Sequence, residues 1–178
     1  MRKFGVFTVA IFLSILVAGI YGILHDQVTY SISPEYFTKF KYRQFGFTAA
    51  DFGGHRQTVA VIGFLATWWM GVWIGLVLAF VGLLFPDYTS MKKAIRTALI
   101  LTFLITLLFG IAGFLYGHYY LVHKGVNWWM PPDLIDKNNF IITGSIHNYS
   151  YTGGVAGLLL AVTYMIIKNY RLKKKAIS

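Results

Sequence analysis

The chain of 178 residues contains no cysteine. Disulfides and thiolate chemistry are therefore excluded. Charge is also scarce: 12% of residues are charged and only 6 are acidic, against 57% hydrophobic. That balance belongs to a membrane protein and excludes an ordinary soluble domain. Short alternating apolar segments are missing, which excludes a β-barrel. A third absence is more specific. No Asp, Glu, Lys, Arg or His falls in the middle of any long apolar run. Proton pumps and ion-coupled transporters place such groups at mid-depth. A charged pathway across the bilayer is thus not expected, and any chemistry should sit at one face.

Four apolar runs are present: Phe4 to Leu24, Thr58 to Phe85, Ala94 to Val122 and Phe140 to Ile167. Each is long enough to cross a hydrocarbon layer of ~30 Å at 1.5 Å per residue. The expected fold is all-α: a single four-transmembrane-helix bundle, residues 1–178, with helices at about 4–24, 58–85, 94–122 and 140–167. Loops are expected at 25–57 and 123–139. The charged start "MRK" could open a signal peptide, but the apolar run is too long for one and no small-x-small cleavage site follows. A retained first helix is expected.

Ten of the sixteen Lys and Arg residues flank the runs on one side: Arg2 and Lys3, the 92–96 segment, and the 168–175 tail. The positive-inside rule makes that side cytoplasmic. Both termini are then inside, and the two long loops form an outer cap. The net charge of +10 holds this topology and meets anionic lipid. The cations are too dispersed for a nucleic-acid surface, so the bilayer is the expected partner.

Small residues recur at four-residue spacing: Ala18 and Gly22, Gly71 and Gly75, Gly113 and Gly117, Gly153 and Gly157. Such pairs let helix backbones approach closely, within the chain or in a homo-oligomer or larger membrane complex. Packing within the chain is the favoured reading. Trp68 and Trp69 are neighbours, so they cannot both face one helix. At least one should meet lipid or another subunit.

All five histidines fall on the outer side. At the helical rise, His25, His118 and His147 lie about 32 Å from the cytoplasmic cations of their own helices, near one plane. "SPEYF" reads as a helix start, with Ser33 as N-cap and Pro34 at the first helical position. Glu35 then either complements the helix dipole or folds back toward His25 and Asp26. His147 and Tyr151 share a helix face at i, i+4.

Four segments carry a resemblance: "HDQVT" at 25–29, "EYFT" at 35–38, "ATWWMGVWIG" at 66–75 and "HNYSYTGG" at 147–154. Together they resemble an uncharacterised family of small four-helix bacterial membrane proteins. The resemblance implies the bacterial inner membrane and no particular substrate or cofactor. It does single out His25, Asp26, Gln27, Glu35, Tyr36, Trp68, Trp69, His147, Asn148 and Tyr151. The chain departs from the family at "SISP" before Glu35, where the family carries a more apolar, sometimes Cys-bearing run.

Three functions follow as expectations. His25, Asp26, Glu35 and His147 converge at the outer face as a metal site for Zn, Fe or Mn, serving redox or hydrolytic chemistry on a lipid-soluble substrate. Alternatively, the same groups form a hydrogen-bonded network in a non-catalytic structural or accessory subunit. In a third reading, His118 and His147 ligate a haem for electron transfer.

Overall fold

The computed structural model describes residues 2–175. It is all-helical, with no strand among the described residues, and four of its helices are long and apolar enough to cross a membrane. These are α1 (Arg2–Ile32), α2 (His55–Gly82), α3 (Tyr88–Tyr116) and α4 (Lys137–Lys175). A π-helical turn at Gly117–Leu121 carries α3 onward to Lys124, where Gly125 at φ 85 ends it.

Each helix differs at its ends from the apolar run that announced it. α1 continues past Leu24 through "HDQVTYSI", so residues 25–32 are helix and not loop. Nothing in that stretch breaks a helix. The Thr29 and Ser31 hydroxyls donate back to the carbonyls of His25 and Gln27 at 3.0 Å each. The break comes at Pro34, which pushes Ser33 out of the helical region. α3 begins at Tyr88, not at Ala94, because the Asp87 carboxylate caps it, accepting from the amides of Thr89 and Ser90. Asp136 does the same for α4, accepting from Asn139 N at 3.0 Å. α4 runs beyond Ile167 because Lys and Arg are good helix formers.

The four helices form two antiparallel pairs. α1 packs on α2, and α3 packs on α4, along most of their lengths. The glycines make this possible. A Cβ added at Gly63 would lie 2.3 Å from the carbonyl oxygen of Gly22. One added at Gly71 would lie 2.5 Å from Ser14 O. In the other pair, Gly113 abuts Ser145 O, and Gly157 abuts Thr102 O. The small-residue spacing therefore serves packing within the chain. Trp68 and Trp69 are 40% and 44% exposed, so both face outward.

The pairs meet each other less intimately. At the end holding the 83–87 turn they share an apolar plug that includes Ala10, Leu78, Phe85, Met91 and Met165. Lys3 Nζ bonds the carbonyl of Phe85 there. At the opposite end sits a cap built from residues 33–54 and 125–136. Ser33 Oγ accepts from Tyr36 N, as an N-cap should. A π-helical turn, Tyr36–Lys41, follows and then the helical turn Tyr42–Phe45, closed by Gly46 at φ 71. A second cluster, with Phe37, Val59, Ile62 and Phe140 at its centre, seats the cap on the bundle.

Candidate functional site

Helix periodicity explains which of three adjacent polar residues turns inward. Ala10, Ser14, Gly22, Asp26 and Thr29 form the buried stripe of α1. Asp26 thus lies on the packed face, 3% exposed. His25 is rotated ~100° one way, toward α4, and Gln27 the same angle the other way, toward α2. Gln27 Nε2 donates to Arg56 O at 2.8 Å, and the Arg56 guanidinium donates to Gln27 O at 2.8 Å.

His25, Asp26 and His147 converge. One ligand atom from each lies within 4.8 Å of the others. Asp26 Oδ1 is 3.1 Å from His25 Nδ1 and 3.2 Å from His147 Nε2. The two imidazoles stand edge to face, with centroids 4.6 Å apart. Because His25 and Asp26 come from α1 and His147 from α4, this cluster ties one helix pair to the other.

Hydrogen-bond accounting exposes a deficit. The Thr143 carbonyl can only accept, so His147 Nδ1 must donate to it, at 2.9 Å. In a neutral imidazole His147 Nε2 is then an acceptor. An ionised Asp26 oxygen is an acceptor too. Two lone pairs cannot face each other at 3.2 Å in a buried site. A cation has to lie between them, either a proton or a metal ion. Asp26 Oδ2 is also buried and has no partner among the described residues. His25 presents no such conflict. In one tautomer its Nδ1–H donates to Asp26 and its Nε2 accepts from Ser150 Oγ at 3.2 Å. In the other, Nε2–H donates to Ser150 and the Nδ1 lone pair is free to ligate an ion. In both, Ser150 accepts from Tyr21 OH at 3.2 Å.

Glu35 does not join the cluster. Its carboxylate accepts from Ile135 N at 3.0 Å and from Asp136 N at 2.6 Å, and it pairs with Lys39 at 2.7 Å. These bonds, led by the Ile135 amide, hold its carboxyl down to about 2. Lys39 also pairs with Asp133 at 3.3 Å. Glu35 therefore latches the two cap segments to each other. The expected fold-back fails because backbone amides of the second loop outcompete the imidazoles.

The remaining candidates divide. Tyr36 lies on the His147 ring, centroids 4.7 Å apart, and roofs the cluster. Burial pushes its phenol up. Tyr151 is at the cluster's edge and donates to Ala66 O at 3.2 Å. Asn148 is exposed, as are Trp68 and Trp69, and none of the three reaches the cluster. His118 is exposed and stacks on Phe114 of its own helix, while both His147 nitrogens face other partners. The haem pairing of His118 with His147 is not formed.

Sequence reasoning missed Tyr21, Ser150 and Lys41. The first two were within reach, since Tyr21 is four residues before His25 and Ser150 three after His147, on the same helix faces. Lys41 is 6% exposed inside the cap, its Nζ about 6 Å from the rings of Tyr36, Phe40 and Phe45. Burial pushes its amine down. Its place follows from the π-turn, which no spacing announces.

A cavity of about 90 Å³ extends from the cluster into the seam between the pairs, lined by Ser14, Tyr21, Met70, Thr102 and Tyr151 among others. It can hold a few waters or a small polar group beside the cluster. No family model, curated protein or solved structure matches the chain.

Proposed function

We infer that His25, Asp26 and His147 bind a divalent transition metal ion, Zn, Fe or Mn, in an integral membrane protein acting on a lipid-soluble substrate. The facing acceptors Asp26 Oδ1 and His147 Nε2 carry this reading. At metal–ligand bonds of about 2.1 Å, atoms 3.2 Å apart subtend about 100°, between octahedral and tetrahedral. Two imidazoles and a carboxylate suit borderline metals. Three protein ligands leave a coordination position open, the arrangement of a catalytic rather than a structural ion. The adjoining cavity is where a reacting group would lie.

The distribution of cations supports placing both termini in the cytoplasm and the cluster toward the outer leaflet of a bacterial inner membrane. The four quoted motifs support membership of the small four-helix family. Redox and hydrolytic chemistry both fit such a centre.

The test is metal analysis of the protein purified in mild detergent. About one ion per chain is expected from the single ligand set, with loss in Asp26→Asn. A metal-free protein whose thermal stability is indifferent to chelator and to added Zn, Fe or Mn would overturn the reading. The cluster would then share a proton and serve as a structural tie.

A further inference from the structure

A second hollow opens beside the first. A groove of about 610 Å³ runs between α1 and α3, on the outside of the seam between the helix pairs. Ile20, Leu24 and Val28 form one wall; Leu107, Ile111 and Phe114 form the other. All six are exposed, from 39% to 62%, so the groove opens sideways from the bundle. Gly110 lies at its floor, where a Cβ would come within 2.9 Å of Ser150 Oγ. Tyr21 and His25 line both the groove and the inner cavity. Partway along its length, at Tyr21 and His25, the groove opens inward onto the Tyr21–Ser150–His25 chain that leads to Asp26.

We propose that this groove admits a neutral amphiphile from the bilayer: one long apolar chain lying between α1 and α3, with an uncharged oxygen head, a hydroxyl or carbonyl, at Tyr21, Ser150 and His25. This names the substrate class of the site proposed above and rests on that reading. The walls are branched and aromatic side chains at the depth of membrane-crossing helices, so a chain reaches them from the side without crossing water. The head is neutral because neither hollow has a Lys or Arg lining it among the described residues. A carboxylate head at Tyr21 and Ser150 would have no Lys or Arg to offset its desolvation, and the charge of the ion is already partly met by Asp26. A cationic head would compete with the ion the cluster needs. Hydroxyls and an imidazole edge, by contrast, give and accept hydrogen bonds to an alcohol or ketone oxygen.

The experiment uses the protein in phosphatidylcholine vesicles, with its metal content measured in the same sample. Three probes carry a mid-chain diazirine: hexadecanol, the matching hexadecanoic acid, and the matching alkane. Photolabelled residues are read by peptide mass spectrometry. The alcohol should label 17–28 and 103–114 about fivefold more than the alkane or the acid, the worth of one net hydrogen bond. Unlabelled hexadecanol should compete it away. Leu107→Trp and Ile111→Trp fill the groove and should each abolish the competed labelling, while Leu108→Trp, exposed but outside the groove, should not. Equal labelling by all three probes that does not saturate would show bulk lipid contact and overturn the proposal. Preference for the acid would overturn the neutral head. Saturable alcohol labelling of metal-free protein would overturn the metal reading alone, and metal-loaded protein without it would overturn the groove alone.

Discussion

The seams within the helix pairs and the seam between the pairs are built on opposite principles. Within α1–α2 and α3–α4, glycines bring backbones into contact and leave no room for a methyl group. Between the pairs, larger side chains stand apart around a cavity and a groove, and a polar cluster closes one end. Close packing gives rigidity; the loose seam gives a place for a ligand. Function is therefore expected where packing is poorest, and stability where it is best.

The largest effect should come from breaking a tight seam. Gly63→Ala places a Cβ 2.3 Å from Gly22 O, a backbone atom that cannot swing aside. Overpacking of this kind costs ~3 kcal/mol or more because two whole helices must separate. The measurement is the thermal aggregation midpoint in detergent. A midpoint equal to that of the unaltered chain would mean that the pair is looser than its geometry.

His147→Ala tests the tie across the loose seam. It removes the ring that meets Asp26 and the donor to Thr143 O. Leaving buried acceptors unpartnered should cost on the order of 1–3 kcal/mol, more if a metal ion is lost with it. The same midpoint measures it, and chelator should then have no further effect. A variant still destabilised by chelator would place the ion elsewhere.

How much of this contrast the sequence carries follows from the distances over which each part is determined. Gly71, Gly75, Gly113 and Gly117 announce the tight seams because a four-residue repeat is a property of one helix. Four apolar runs announce four helices for the same reason, although their ends depend on caps such as Asp87 that hydropathy ignores. His25 and His147 share a depth when their helices are taken as straight rods, and the structure brings them together. Sequence spacing cannot place Glu35, because its partners, the amides of Ile135 and Asp136, lie a hundred residues away and carry no side-chain signature. His118 lies beyond the level of His147, since Gly117 abuts Ile142 while Gly113 abuts Ser145, and it faces outward. Depth counted from a distant cation drifts along a helix and is silent about rotation.

The cap latch is worth less than either seam. Glu35→Gln keeps an acceptor for the Ile135 and Asp136 amides but loses the charge that strengthens those bonds and pairs Lys39. A loss of about 1 kcal/mol is expected at this partly exposed site. Its pH dependence has a definite sign. The folded carboxyl lies near 2, below its ordinary value of 4.5. The latch therefore contributes fully above about 4.5 and fades as pH falls from there to about 2. Limited proteolysis of the 125–136 segment, followed from pH 6 to pH 3, should show cleavage rising in the unaltered chain toward that of Glu35→Gln. Equal cleavage of both at pH 6 would mean that the latch does not hold the cap.

The smallest effect sharpens the first. Gly5 is on the same helix as Gly22, but a Cβ added there meets nothing within 4 Å. If glycine matters in this chain for flexibility, Gly5→Ala should perturb it much as Gly63→Ala does. If glycine matters only where backbones touch, the substitution should be silent, or stabilising by up to ~1 kcal/mol through helix propensity. The close approaches at Gly22, Gly63, Gly71 and Gly113 favour the second account. The pair of variants, measured side by side in one detergent, separates the two: a midpoint that falls for Gly63→Ala and holds for Gly5→Ala assigns the tight seam its stability. A fall in both of similar size would transfer that stability from contact to the helix itself, and the contrast between the seams would lose its physical basis.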